Sequence, residues 1–189
     1  MKNKLTLIVL AIVALISLSF TTVSKLPKNW FVAGSMPKSY EMKTDHSTFY
    51  SGNSAVMIRS IDKKIKGFGT VMQSCSAETY LGTKIKLTGM LKTEDVKKWA
   101  GLWLRVDDAN GKVLSFDNMR KTKLKGTNDW QQYEIILNVP ENAKTLNFGG
   151  LLVGTGTLWF DDLKFEVIKD RKAYFESLTK APENLSFEE

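Results

Sequence analysis

The chain has 189 residues, 43% of them hydrophobic and 25% charged, which is the composition of one globular domain with a full core rather than of a disordered chain. A single cysteine, Cys75, excludes an intrachain disulfide and a cysteine-based zinc site, and is expected as a small buried core residue. The formal net charge of +7 is spread along the chain with no dense Lys/Arg block, so no nucleic-acid partner is expected.

Lys2 and Lys4 precede an uncharged apolar run, Leu5 to Phe20, and then the small or polar Thr21-Thr22-Val23-Ser24. This is the grammar of a secretory signal peptide, so residues 1–24 are expected to be removed after Ser24. The expected location is therefore exported: periplasmic, cell-surface or extracellular. Membrane contact is expected only if the segment stays uncleaved.

Residues 25–169 form the predicted domain. Lys25 to Asp45 reads as a loop-rich lead, with Trp30 and Phe31 plugging one end of the core. Ser54 to Ile61 and Gly67 to Cys75 read as strands. In Lys84 to Lys92, Ile85, Leu87 and Leu91 alternate with Lys84, Lys86, Thr88 and Lys92, the pattern of a half-buried strand. The polar Thr93 to Lys98 (TEDVKK) suggests one helical turn.

Trp99 to Met119 (WAGLWLRVDDANGKVLSFDNM) reads as a β-hairpin around the turn formers of Asp107 to Lys112. Matching the apolar faces sets Leu104 opposite Phe116 and Val106 opposite Leu114, and so Trp103 opposite Asp117. The outer face would then carry Trp103, Arg105, Asp117 and Met119, with Gln73 joining from a neighbouring strand; it is either a ligand face or a packed layer in which Trp103 is core and Arg105–Asp117 a structural pair. Trp99 and Trp130 are expected to cap the sandwich. Arg120 to Asp129 reads as a basic loop. Gln131 to Val139, Thr145 to Val153 and Thr157 to Ile168 complete the strands, with Trp159, Leu163, Phe165 and Val167 on one face of the last. Residues 170–189 read as a tail with a short helix and a potential edge strand.

Short strands at close spacing without a long amphipathic helix predict an all-β fold: a β-sandwich of two antiparallel sheets, with a short C-terminal helix or extended tail. Four segments resemble the galactose-binding-like jelly roll, the architecture of many carbohydrate-binding modules: Tyr50-Ser51-Gly52-Asn53-Ser54-Ala55, Tyr80-Leu81-Gly82, Trp130-Gln131-Gln132-Tyr133 and Gly156-Thr157-Leu158-Trp159-Phe160-Asp161-Asp162-Leu163. Ala100-Gly101-Leu102-Trp103, Phe116-Asp117-Asn118-Met119 and Lys125-Gly126-Thr127 are similar to a bacterial group whose members are often named transcriptional regulators. No helix-turn-helix segment is legible beside them, so the regulator role is not carried over.

The jelly-roll resemblance implies a structural calcium between a Glu of an early strand and an Asp of the last one. Here it points to Asp161, Asp162 and Glu188, the last from Asn184-Leu185-Ser186-Phe187-Glu188 if the tail returns as an edge strand. No cofactor is required beyond this.

Catalysis is not expected. The lone His46 sits in a polar loop without a nucleophile partner, and no serine has the setting of a nucleophile elbow. Asp117 beside Arg105 would be held ionised, a poor general acid. The expected function is a non-catalytic module binding carbohydrate or a related polar small molecule through Gln73, Trp103, Arg105, Asp117 and Met119. The alternatives are a protein-interaction module with an envelope protein as partner, and a glycan-active enzyme using paired carboxylates.

Overall fold

A computed structural model describes residues 25–170. The proposed signal segment 1–24, the tail 171–189 and Glu188 within it lie outside the described residues. The strands are β1 (Phe31–Gly34), β2 (Tyr40–Asp45), β3 (Ala55–Ser60), β4 (Phe68–Ser76), β5 (Thr83–Asp108), β6 (Val113–Asp117), β7 (Leu124–Asn138), β8 (Ala143–Val153) and β9 (Thr157–Asp170). All pairings are antiparallel, and among the described residues helix is confined to two short 3-10 turns.

The sandwich is organised by β5, which is 26 residues long and serves both layers. Its first half, Thr83 to Glu94, pairs with β9, and its second half, Trp99 to Asp108, pairs with β8. One layer is therefore β2-β3-β9-β5-β7, and the other is β1-β4-β8-β5-β6. The segment expected as a helical turn is the crossing point. It stays extended because β7 supplies partners on one side, through three register shifts, with Asp95 at φ +53°. For the same reason β7 begins at Leu124, inside the expected loop.

Between the layers lie Ile58, Ile85, Leu87, Leu91, Leu158 and Phe160 from one sheet, and Val71, Leu102, Leu104, Val106, Leu146 and Leu152 from the other. Each fully buried aliphatic side chain contributes about 1.5–3 kcal/mol from the area it removes from water. Trp30 closes one end as expected, its ring 5.7 Å from those of both Phe148 and Phe160, whereas Phe31 is exposed.

Two other expectations are corrected. Trp159 does not share a face with Leu163 and Phe165. Between Thr88–Lys164 and Met90–Asp161 the strand β9 carries one extra residue, with Asp162 at φ +49°, and this bulge switches the inward face from Leu158 and Phe160 to Leu163 and Phe165. Trp159 instead packs on the outer face and donates its indole N–H to Asp45 Oδ2 at 2.7 Å. Cys75 is exposed, because it falls near the end of β4 beyond the part of the strand that covers the core.

Candidate functional site

The outer face of the β1-β4-β8-β5-β6 sheet can be read row by row from its register. Phe68, Val153 and Trp99 form one row, Met72, Gly149 and Trp103 another, and Asn147, Arg105 and Phe116 a third. These side chains point away from the core because Val71, Leu102, Leu104 and Leu152 take the alternate positions inward. The result is a largely apolar groove of about 360 Å³. Phe68, Trp99 and Phe116 line its sides, Trp103, Thr70 and Leu151 its base, and Arg105 one end.

Trp103 is 7% exposed. Its indole N–H donates to Thr70 Oγ1 at 2.8 Å, and that hydroxyl donates to the Gly150 carbonyl at 2.7 Å. Trp103 is on β5 and Thr70 on β4, so the ring spans the intervening β8. It can do so because the residue beside it is Gly149, where β8 also approaches β4 so closely that a Cβ would stand 2.1 Å from the Val71 carbonyl oxygen. Trp103 is thus fixed as the base of the groove. The rings left accessible are Phe116, 51% exposed, Phe68 and the half-buried Trp99.

Arg105 donates from Nε to Asp107 Oδ2 at 3.0 Å and from Nη2 to the same oxygen at 2.8 Å. Asp107 is 4% exposed, and its Oδ2 also accepts from Asn147 Nδ2 at 2.9 Å, while Asn147 Oδ1 accepts from the Ser74 hydroxyl at 2.6 Å. Among the described residues, Asp107 Oδ1 is buried without a partner. The carboxylate therefore holds the guanidinium by one edge, and the other edge faces the groove with the Arg105 side chain 40% exposed.

This arrangement corrects the hairpin read from sequence. Leu104 stands opposite Asp117, and Arg105 opposite Phe116, one residue out of the expected register. β6 is an edge strand whose faces are not both held by burial, so the turn sets the register: Asp108 accepts from the N–H groups of Asn110 and Lys112, and a bulge falls between Val106 and Asp107. Phe116 consequently moves from the expected core to the groove. Asp117 is not the partner of Arg105; its Oδ1 accepts the Met119 N–H at 2.8 Å.

Two further site residues are displaced. Met119 is buried in the core cluster, where its sulfur accepts the Leu102 N–H at 3.2 Å and fills the gap along the β5 edge between β6 and β7. Gln73 has the parity of Val71, opposite Phe148, and so lies on the inner side of the sheet. Of the five predicted residues, the structure brings Trp103 and Arg105 into one groove. Sequence reasoning missed Phe68, Trp99 and Phe116 as groove residues and Asp107 as the anchor of Arg105. The alternation Phe68, Thr70, Met72 and the same-face spacing of Arg105 and Asp107 were the available signals.

Asp161 Oδ2 accepts the N–H groups of Tyr50 and Ser51, each at 3.0 Å, and its Oδ1 accepts that of Asp162. Asp162 pairs with Lys164 at 2.9 Å. Among the described residues no cluster of three carboxylate, histidine or cysteine side chains is placed to hold a metal. His46 is exposed, its Nδ1 3.1 Å from the Asn53 carbonyl.

No family model matches the chain. It is 37% identical over 173 residues to the uncharacterized HTH-type transcriptional regulator YbfP of Bacillus subtilis (strain 168), a match covering 88% of this chain and 59% of the regulator. The chain thus spans little more than half the length of that relative. Among solved structures, the CBM22-1 xylan-binding domain of Paenibacillus barcinonensis Xyn10C superposes with a TM-score of 0.53 at 10% identity, over 77% of this chain and 90% of that domain. The enzymatically active domain of bacteriophage CBA120 tailspike protein 4 superposes with a TM-score of 0.57 at 13% identity, over 75% of this chain and 20% of that one. At such identities the shared property is the fold. Sheet pairing and these superpositions agree: the chain has an antiparallel jelly-roll β-sandwich fold, which it shares with the xylan-binding domain.

Proposed function

We propose that this chain is an exported, non-catalytic carbohydrate-binding module whose ligand lies in the groove over Trp103. The observation that carries the reading is the pairing of exposed Phe116 with Arg105 on neighbouring strands, above a base that Trp103 closes. A sugar ring needs an apolar surface for its C–H face and a fixed planar donor for its hydroxyl groups. Phe68, Trp99 and Phe116 supply the first and Arg105 the second. The xylan-binding domain that shares this fold supports the ligand class.

Binding rather than catalysis fits the chemistry of the groove. Among the described residues no carboxylate lines it; Asp107, which anchors Arg105, is buried and engaged by Arg105 and Asn147, and a glycosidase needs two carboxyl groups free to flank the scissile bond. Export rests on the N-terminal Lys2 to Ser24 pattern. A glycan array followed by calorimetry tests the function. Binding that Phe116→Ala removes without unfolding the protein supports the groove, and binding that survives Phe116→Ala and Arg105→Lys together overturns it. Sugar hydrolysis during the same incubation would instead favour an enzyme.

A further inference from the structure

The groove does not end at Arg105. Phe116 and Asn118 line it and also line an adjoining shelf, whose other members are Asp117, Arg120, Lys121 and Lys123. Arg120, Lys121 and Lys123 are exposed, and among the described residues none of the three forms an ion pair. Asp117 is the one carboxylate of the shelf, and it is turned toward the Met119 N–H. A row of unpaired cations beside a low-dielectric wall raises the local concentration of anions.

Resting on the carbohydrate reading above, we infer that the ligand is an acidic glycan, one whose sugar rings carry carboxylates. Arg105 and Phe116 are paired across β5 and β6, so a guanidinium and an exposed ring stand side by side on one face. A uronic acid has the matching shape, because its carboxylate is borne directly on the pyranose that would stack. Asp107 holds the Nε–Nη2 edge of Arg105 and leaves the end of the guanidinium for a planar, two-oxygen acceptor. Further carboxylates along the polymer would meet Lys121 and Lys123 as solvated point charges. A neutral glycan would leave the shelf without a role in binding.

The test measures binding of the full chain to polygalacturonate, alginate and hyaluronan, each beside its carboxyl-reduced derivative, with a phosphomannan as a second anion. The expected result is that at least one uronate polymer binds tenfold or more tightly than its reduced form, and that the preference shrinks as salt is raised. Arg105→Lys should cut the preference severalfold. Lys121→Gln with Lys123→Gln, both on the surface and away from the fold's interior, should flatten the salt dependence even if Arg105 variants fold poorly. Equal or tighter binding of the reduced forms would overturn the acidic-ligand inference and leave the carbohydrate reading standing. Binding confined to phosphomannan would overturn the carboxylate assignment. Failure to bind any acidic or neutral glycan would overturn both.

Discussion

Arg105 and Asp107 lie two residues apart on one strand and face the same way, and the carboxylate of Asp107 receives both Nε and Nη2 of the guanidinium. The pair is asymmetric. Asp107 is buried and Arg105 is 40% exposed, so the strand presents a cation whose orientation is set from beneath. Removing the buried member leaves Asn147 without its acceptor. Asp107→Ala should therefore destabilise the protein by about 1–3 kcal/mol, discounted from the fully buried case because Arg105 stays in water. Asp107→Asn keeps an acceptor for Asn147 and should lose less. Urea titrations of the two variants, read as midpoints at constant slope, check the order.

The aromatic residues of the groove should separate into two kinds. Trp103 closes the base and hydrogen-bonds Thr70, so Trp103→Ala should cost about 3–5 kcal/mol of stability, as large aromatic truncations in cores do. Trp103→Phe keeps most of the ring and loses the hydrogen bond, a loss of about 1 kcal/mol. Phe116 is half exposed on an edge strand, and Phe116→Ala should change stability by roughly 0.5 kcal/mol or less while weakening ligand binding. Thermal melts beside glycan titrations distinguish the two classes. Equal destabilisation at both positions would show that Phe116 is structural.

How much of this was legible beforehand differs between strand interiors and strand edges. The central strands were readable, since Ile85, Leu87 and Leu91, or Tyr133, Ile135 and Leu137, must alternate to keep one face in the core. The groove was half readable. Trp103 and Arg105 follow from the alternation of β5, which is held on both sides. The errors at Phe116, Asp117 and Trp159 share another cause: each depends on a bulge, between Val106 and Asp107 or at Asp162, and one extra residue reverses every face beyond it. Nothing in the local residue types announces such an insertion. The crossing at Thr93 to Lys98 was hidden for a related reason, because its extended backbone is stabilised by strands distant in sequence.

Tyr40 gives the fold a measurable alkaline limit. Its hydroxyl donates to the Gly154 carbonyl at 2.8 Å, joining the start of β2 to the turn before β9. Burial pushes its pKa up from 10.0 to about 12. The folded state thus holds the phenolic proton more tightly than the unfolded chain. This contribution to stability is fully present below pH 10 and is lost as the pH rises from 10 toward 12. Urea midpoints should fall over that interval in the wild-type chain and fall less steeply in Tyr40→Phe.

Asp161 ties a loop to a strand. Its carboxylate accepts two successive backbone N–H groups, those of Tyr50 and Ser51, more than a hundred residues earlier in the chain. Asp161→Ala should cost about 1–2 kcal/mol and leave those amides to water. Faster proteolysis near Tyr50 in the variant, with cleavage elsewhere unchanged, is the expected readout.

The length of β5 has one more consequence. Its backbone donates and accepts in both layers, to β7 and β9 in one and to β6 and β8 in the other. Neither sheet can then open without fraying the strand that anchors its neighbour. The most protected amides of the two sheets should exchange with solvent deuterium in a single cooperative event, and a sugar seated over Trp103 should slow exchange on the far side of the sandwich, at Ile58 and Leu158, as much as beneath itself.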